Sequence, residues 1–331
     1  MKETCSVALI TYNGEKYLAR QLETLTAQTR LPDELVVCDD GSTDKTVEIL
    51  ENFAEKSPFP VRIYRNTENL GYSRNFHKVF FLCEKEITFF CDQDDVWLPE
   101  KIASAMKIFE EESDVGLVLM TDLRVDKDEK PLPFSNRFGR FQSALEAENG
   151  FQTLLRHSAL GWAAHNMACR TCWREVAFPE IPTREQVFDL WLYHVLGAVC
   201  DVRVILEPSV WFRRHGENVT SQSRNVKNPL VLLRNSIRKH YSIERLWQKY
   251  RFERQLVELL RGMKEVRYPE VAEFYERLTT HLKKRVDVRT QWLSRFWLIP
   301  REYFNGNYGR FARGFRDALT DFIVWPQKLP K

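Results

Sequence analysis

Short apolar runs alternate with amphipathic segments along the first 121 residues, and no other feature of this chain limits its fold so strongly. The runs have the length of buried strands, and the segments between them keep apolar residues at helical spacing. Such alternation predicts an α/β fold in which helices flank a mostly parallel sheet. The predicted strands are 6–11, 34–38, 61–64, 87–91 and 115–120.

The rest of the chain has a different character. Residues 122–185 are irregular and contain several prolines, which suggests a lid or an acceptor region. A helix near 186–197 and two short strands near 202–213 follow, and beyond residue 228 the pattern is helical throughout. These changes predict a catalytic domain over 1–224 and a basic, aromatic-rich helical extension over 225–331.

Charge is distributed unevenly between these two parts. Residues 1–224 hold 26 Lys and Arg against 35 Asp and Glu, whereas residues 225–331 hold 23 against 11. A basic extension indicates an anionic partner, and its aromatic and arginine-rich stretch 291–325 favours a lipid headgroup layer. A helix packed on the catalytic domain and an oligomer interface are the alternatives. Nucleic acid ranks last, because no recognisable nucleic-acid fold accompanies the charge.

The chain carries no pattern of a membrane span or a secretion signal. Its apolar stretches fall far short of the roughly 20 residues that a spanning helix requires. The N-terminus leads into a predicted strand without the apolar region of a signal peptide. We therefore expect a cytoplasmic protein, with peripheral attachment to the inner face of the cell membrane as an option.

Three carboxylates lie within four residues directly after the predicted strand 87–91. Asp92, Asp94 and Asp95 would meet at the mouth of the sheet, where their like charges repel. A divalent cation such as Mg²⁺ or Mn²⁺ relieves that repulsion, because it takes oxygen ligands and leaves positions for substrate phosphates. A solvated acidic turn that caps the next helix explains the same residues, so this motif alone leaves both interpretations open.

Polar residues also follow the other strands, at the edge where open α/β sheets bind ligands. Asp39 and Asp40 could accept hydrogen bonds from a base or ribose, and Tyr12 could stack on a nucleobase, although turn formation explains all three. The run 69–75 opens a helix with a glycine and Arg74, which suits phosphate oxygens or a plain helix start equally. No Walker-type or G-x-G-x-x-G loop occurs, which argues against nucleoside triphosphatases and dinucleotide-binding enzymes.

Together these motifs resemble the inverting glycosyltransferase family 2, which has the GT-A (Rossmann-like) fold, over about residues 5–222. The matches occur in the family's order and spacing: Thr11-Tyr12-Asn13, Asp39-Asp40-Gly41-Ser42-Thr43-Asp44, Asn69-Leu70-Gly71 with Arg74-Asn75, and Asp92-Gln93-Asp94-Asp95-Val96-Trp97. The resemblance implies that Asp40 contacts the base with help from Asp39. It also implies two groups of further residues: Thr11, Tyr12, Asn13, Asn69 and Arg74 at the nucleotide, and Asp92, Asp94 and Asp95 at metal and diphosphate.

The resemblance also implies a catalytic base. The family's base is an aspartate that opens a helix after the acceptor region, often within His-Asp-x-Trp, and Phe188-Asp189-Leu190-Trp191 is the matching run. Asp189 is therefore the candidate base, although Phe188 departs from the family's histidine. Glu185, one helical turn earlier, is the runner-up, and a surface Asp189 without a role is the remaining alternative.

Two further segments match the family less closely. The run Phe212-Arg213-Arg214-His215-Gly216-Glu217-Asn218 resembles its Tyr-Arg-x-His-Gly-x-Asn loop, which implies that His215 reaches the metal or the diphosphate. Gly161-Trp162 stands where many relatives carry a Thr-Gly-Cys-like segment near the donor sugar, and departs from it. The candidates around the donor or acceptor sugar are thus Gly161, Trp162, Glu185 and Trp191.

The resemblance implies that a UDP- or dTDP-sugar, with rhamnose among the candidates, donates its sugar to a hydroxyl of a surface-glycan or lipid-linked acceptor. Asp189 would take the proton from that hydroxyl, Mn²⁺ or Mg²⁺ would steady the leaving diphosphate, and the anomeric configuration would invert. Two rivals stay open. One is a nucleotidyltransferase with a similar sheet, and the other is a non-catalytic module that binds sugar nucleotides or membranes.

Overall fold

The computed structural model of the protein describes residues 2–133, 162–183, 186–216, 242–264, 266–312, 314–323 and 329. The chain divides into two compact units. We call Met1–Phe151 with Gly161–His215 the sheet unit, and Gln152–Leu160 with Gly216–Lys331 the helical unit. The domain boundary expected after residue 224 lies outside the described residues.

Eight strands among the described residues form one mixed sheet in the sheet unit. They are β1 (Cys5–Thr11), β2 (Glu34–Asp39), β3 (Val61–Arg65), β4 (Ile87–Cys91), β5 (Val96–Trp97), β6 (Val115–Val125), β7 (Met167–Arg170) and β8 (Asp201–Arg213). Their order across the sheet is β3-β2-β1-β4-β7-β6-β8-β5. The first four in that order are parallel, and β7 is antiparallel to both its neighbours. The predicted α/β class and the five predicted strands are confirmed.

The expectation of two short strands near 202–213 is wrong. A single strand, β8, covers this stretch and pairs in parallel with the whole length of β6. The register shifts on both sides of Thr121, whose partner is Pro208. Proline has no N–H to donate to a ladder, so the sequence pattern breaks there although the strand continues through an irregularity.

Six α-helices of the described residues belong to the sheet unit. They are α1 (Leu18–Thr26), α2 (Thr46–Ala54), α3 (Tyr72–Leu82), α4 (Lys101–Glu111), α5 (Arg174–Ala177) and α6 (Phe188–Val199). The predicted apolar faces are buried as expected: Leu22 of α1 and Met106 of α4 join β1 and β4 in one hydrophobic core. Helix α6 is buried along most of its length, so the polar residue in its first turn, Asp189, is held at a fixed place.

The helical unit contains the predicted extension. Its described helices are α7 (Ile243–Gly262), α8 (Pro269–Thr290), α9 (Arg295–Phe304), α10 (Asn307–Phe311) and α11 (Phe315–Ile323). A buried carboxylate joins α8, α10 and α11: Asp321 of α11 accepts hydrogen bonds from Arg285, Arg289 and the hydroxyl of Tyr308 at 2.6–2.9 Å. Among the described residues, we find no helix with the length and apolarity needed to cross a membrane.

Candidate active site

The acidic residues after β4 gather around a histidine that sequence reasoning missed. The Nδ1 atom of His165 lies 3.2 Å from a carboxylate oxygen of Asp92 and 3.2 Å from one of Asp95. One ligand atom from each of these three residues falls within 4.8 Å of the others, which is close enough for all three to bind one metal ion. His165 is four residues beyond Gly161, in an Ala-Ala-His-Asn run without periodicity, so only the tertiary structure brings it to the carboxylates.

His165 is itself held firmly from several sides. Its backbone carbonyl accepts a 2.8 Å hydrogen bond from Nζ of the buried Lys101, and its ring stacks on Phe212 at 5.0 Å. The other ring nitrogen, Nε2, faces Asp122 at 4.0 Å. Burial alone would lower the pKa of His165, but the charges of Asp95, Asp122 and Asp92 outweigh it and raise the pKa to about 10. The protonated imidazole therefore balances the negative charge of the acidic cluster. A bound cation would take over that role.

The donor set fits a divalent cation. Carboxylate oxygens with one imidazole nitrogen suit Mn²⁺ or Mg²⁺, and the buried Asp95 Oδ2 faces His165 Nδ1 at 3.2 Å without a well-formed hydrogen bond. A carboxylate opposite the second nitrogen of His165, here Asp122, is the arrangement that orients metal-bound histidines. Burial raises the pKa of both Asp92 and Asp95, because each carboxylate loses hydration beside like charges.

The remaining predicted metal residues form a separate pair. Asp94 and His215 face each other, with Oδ2 and Nε2 2.8 Å apart, and the His215 ring packs against Tyr17 at 4.6 Å. The repulsion between Asp94 and the carboxylates of Asp92 and Asp95 contributes to raising the pKa of those two groups. The four residues expected at the metal are thus neighbours, but Asp94 already has a histidine partner.

Asp189 lies close enough to Asp92 for the charge of that carboxylate to affect its ionisation. Its Oδ2 accepts a hydrogen bond from the hydroxyl of Tyr72 at 3.3 Å, and its Oδ1 accepts one from its neighbour's N–H. Burial, with the nearby charge of Asp92, raises the pKa of Asp189 to about 6. A carboxylate with this pKa is ionised at neutral pH yet basic enough to take a proton from a hydroxyl. Tyr72 is a second residue that sequence reasoning missed.

Asp39 and Asp40 hold together the loops at the ends of β1 and β2. Asp39 accepts hydrogen bonds from Thr11 and Ser42, and it is fully buried. Asp40 accepts three, from the side chain of Asn66 and from the backbone N–H groups of residues 70 and 71, all at 2.8 Å. A carboxylate has about four acceptor positions, so Asp40 keeps capacity for one donor from a ligand.

The other residues expected at the nucleotide lie around the same edge. Asn13 has φ of 47° and its side chain accepts the N–H of Thr43, while Tyr12 is 50% exposed. The side chain of Gln93 makes two hydrogen bonds with the backbone of Tyr12, at 2.8 and 3.0 Å. This amide therefore fixes the loop after β1 to the acidic cluster. The exposed side chains of Asn69 and Arg74 donate to backbone carbonyls, of Asp40 and Pro182 respectively.

The candidates for sugar contacts separate into two groups. Gly161 and Glu185 lie outside the described residues. Trp162 and Trp191 are each 2% exposed, and the Nε1–H of Trp191 donates to the carbonyl of Ala177 at 2.7 Å. The described contacts of Trp191 are those of a residue that anchors α6 against α5.

We expect the Asp40→Asn variant to lower the free energy of unfolding by about 1–3 kcal/mol, because an amide nitrogen would then face backbone N–H groups that lose their acceptor. Urea denaturation measures this loss. Glu68→Gln is the matched control, since Glu68 is exposed in the same loop and its replacement should change stability by less than about 0.5 kcal/mol. Equal effects of the two substitutions would contradict the assignment.

Comparison with known proteins agrees with this geometry. A sequence model described as "Glycosyl transferase family 2" matches residues 6–173. The chain is 25% identical over 218 residues to an uncharacterized glycosyltransferase of Nostoc sp., which covers 64% of this chain and 65% of that protein. It is 31% identical over 102 residues to the dTDP-rhamnosyl transferase RfbG of Shigella flexneri, 30% of this chain and 35% of that protein. The chain spans 60 to 65% of the length of the first curated relatives that it matches.

Solved structures resemble the chain over most of its length. The crystal structure of S. aureus TarS 1-349 in complex with UDP-GlcNAc aligns with a TM-score of 0.59 at 17% sequence identity. The alignment covers 96% of this chain and 81% of that one. At this identity the likeness supports the fold alone.

Proposed function

Because this chain belongs to glycosyl transferase family 2 and has the GT-A fold, we propose that it transfers a sugar from a nucleoside diphosphate to an acceptor hydroxyl. One observation carries the proposal. A buried carboxylate whose pKa is raised to about 6, Asp189, stands near an acidic cluster with the donor set of a divalent-cation site. Attack by a hydroxyl requires a base that takes the hydroxyl proton, and a cation stabilises the charge of the diphosphate that leaves.

In this proposal Asp189 takes the proton from the acceptor hydroxyl while the hydroxyl oxygen attacks the anomeric carbon. The hydroxyl of Tyr72 orients the Asp189 carboxylate through their 3.3 Å hydrogen bond. Direct attack from the side opposite the leaving group inverts the anomeric configuration. Glu185 remains the alternative base.

The metal, Mn²⁺ or Mg²⁺, would be held by Asp92, Asp95 and His165, and when bound it neutralises the charge of the leaving diphosphate. This ligand set differs from the sequence-based prediction by adding His165 and by leaving out Asp94 and His215. Asp94 and His215 then form a polar pair beside the site. We propose that this pair contacts the diphosphate rather than completing the metal's ligands, because the ligand atoms that lie close together among the described residues are those of Asp92, Asp95 and His165.

At the nucleotide, the remaining acceptor position of Asp40 would receive an N–H of the base, and the half-exposed ring of Tyr12 would stack on it. Thr11, Asn13 and Asp39 fix that loop. Relatives include a dTDP-rhamnosyl transferase, and a structural neighbour was solved with UDP-GlcNAc, so the proposed donor is a UDP- or dTDP-sugar. The proposed acceptor is a surface glycan or its lipid-linked precursor, reached from the cytoplasm.

A thermal-shift panel tests the donor. We expect UDP or dTDP to raise the melting temperature in the presence of Mn²⁺ and to lose most of that effect with EDTA, since a ligand that binds only the native state stabilises it in proportion to occupancy. GDP and CDP serve as matched controls. A shift with ATP alone would favour the nucleotidyltransferase instead, and no shift with any diphosphate would favour a non-catalytic module.

A further inference from the structure

We propose that the helical unit docks on an anionic lipid bilayer through one exposed face of α9 and α11, together with the residues just before α9. Thirteen large hydrophobic side chains are exposed among the described residues, and eight of them fall within 293–322. Soluble proteins usually scatter such side chains singly, so this concentration marks an interaction surface. We call these eight the aromatic face: Leu293, Phe296, Trp297, Tyr303, Phe304, Phe315, Leu319 and Phe322.

The aromatic face is continuous across two helices. The ring of Phe296 meets that of Phe322 at 5.9 Å, and the ring of Tyr303 meets that of Phe315 at 6.2 Å. The first contact joins the start of α9 to the end of α11, and the second joins the end of α9 to the start of α11. The two helices therefore run antiparallel. Phe304, 85% exposed, extends the surface at the end of α9.

These helices already have a core on their other side. Ile299 of α9, Tyr308 of α10 and Ala318 of α11 pack with Val288 of α8 in a separate hydrophobic cluster. Arg295 is also buried, and its guanidinium donates to the backbone carbonyls of residues 288 and 322. The stretch 291–325 therefore does not present all of its aromatic and arginine side chains to one partner, as its sequence suggested. The aromatic face is what remains outside after the unit has folded.

The acidic side chains of this segment turn inward. Asp321 is fully buried against Arg285 and Arg289, and Glu302, 2% exposed, pairs with Lys284 and with His281 at 2.9 Å.

Asp317 likewise pairs with Arg285 at 3.3 Å. The exposed charged side chains described within 291–323 are those of Arg301 and Arg310. The surface next to the aromatic face is therefore cationic, because basic side chains of α8 pair with the acidic side chains of this segment.

Exposed aromatic side chains next to exposed arginines favour a lipid surface as the partner. Aromatic side chains insert at the headgroup level, and each nearby cation adds attraction to anionic lipid. A symmetric contact between two copies of this face would instead bring its arginines together without acidic partners. The helices would lie in the plane of the interface.

Sedimentation of the full-length protein with vesicles tests the proposal. We expect binding to vesicles of phosphatidylcholine mixed with phosphatidylglycerol, weaker binding to phosphatidylcholine alone, and weakening at high salt. The double variant Trp297→Ser, Phe304→Ser should lower the partition coefficient at least about tenfold, because both side chains lose the gain of apolar burial. Arg301→Gln with Arg310→Gln should remove most of the preference for phosphatidylglycerol.

Leu31→Ser is the matched control, since it removes an exposed apolar side chain of the sheet unit and should bind like the wild type. Thermal melting confirms that each variant is folded. Equal vesicle binding by the wild type and by the Trp297→Ser, Phe304→Ser variant overturns the proposal, and so does a wild type that binds no vesicles. A dimer in size-exclusion chromatography that dissociates in this variant, without vesicle binding, would assign the face to a second copy and equally overturn it.

Discussion

Replacing Asp189 by asparagine is expected to lower kcat about 10²- to 10⁴-fold while leaving donor affinity nearly unchanged. The amide keeps the size of the side chain but cannot take the proton from the acceptor hydroxyl. Initial rates with saturating donor, together with a thermal shift by the nucleotide, measure the two quantities separately.

The pH dependence of the wild type supplies an independent test of the same base. Because burial raises the pKa of Asp189 to about 6, kcat should be constant above that pH and fall about tenfold per unit below it, as the carboxylate becomes protonated. The hydrogen bond from Tyr72 stabilises the ionised form, so Tyr72→Phe should move this limb to higher pH and leave the plateau nearly intact.

Glu185→Gln is the matched control for both measurements. It should keep the wild-type rate and the wild-type pH profile. A loss of activity in Glu185→Gln with an active Asp189→Asn would transfer the role of base to Glu185. An acid limb that does not respond to Tyr72→Phe would assign that limb to another group.

The second large effect is expected at the metal. His165→Ala should weaken Mn²⁺ binding at least about 100-fold and abolish the metal-dependent part of the nucleotide's thermal shift, because one of three proposed ligands is lost. Electron paramagnetic resonance of free Mn²⁺ reports the affinity without any need for turnover. Asp95→Asn should behave in the same way.

His215→Asn is the matched comparison, since His215 also lies beside an aspartate of the acidic cluster, with 8% of its side chain exposed. We expect it to bind Mn²⁺ within about tenfold of the wild type and to weaken diphosphate binding more than metal binding. The reverse order, with His215→Asn losing Mn²⁺ and His165→Ala retaining it, would place the metal at Asp94 and His215. Undiminished Mn²⁺ binding by His165→Ala would show that the imidazolium only balances charge.

The fold of the sheet unit could be predicted because its signals are local. An apolar run such as Ile87–Cys91 is buried on both faces whatever surrounds it, and its length identifies it as a strand. The residues after each strand could be assigned to one edge for the same reason, since parallel strands bring their carboxyl ends together. Pro208 shows where prediction from the local pattern fails. The proline interrupts the strand pattern in the sequence, but β8 continues through it because it stays paired with β6.

The sequence by itself determined the class of the fold, the helical character of the rear segment and the acidic motif at the sheet edge, since periodicity and spacing carry all three. Only the tertiary structure decided which acids share a partner. His165 and Asp92 are 73 residues apart, and Tyr72 and Asp189 are 117 apart, so their contacts depend on how strands and loops are ordered in space. In the helical unit, likewise, the sequence shows that aromatic and charged residues alternate. Packing alone decides that Asp321 is buried while Phe304 is exposed. Burial and ionic pairing are properties of the folded surroundings, and a linear pattern does not contain them.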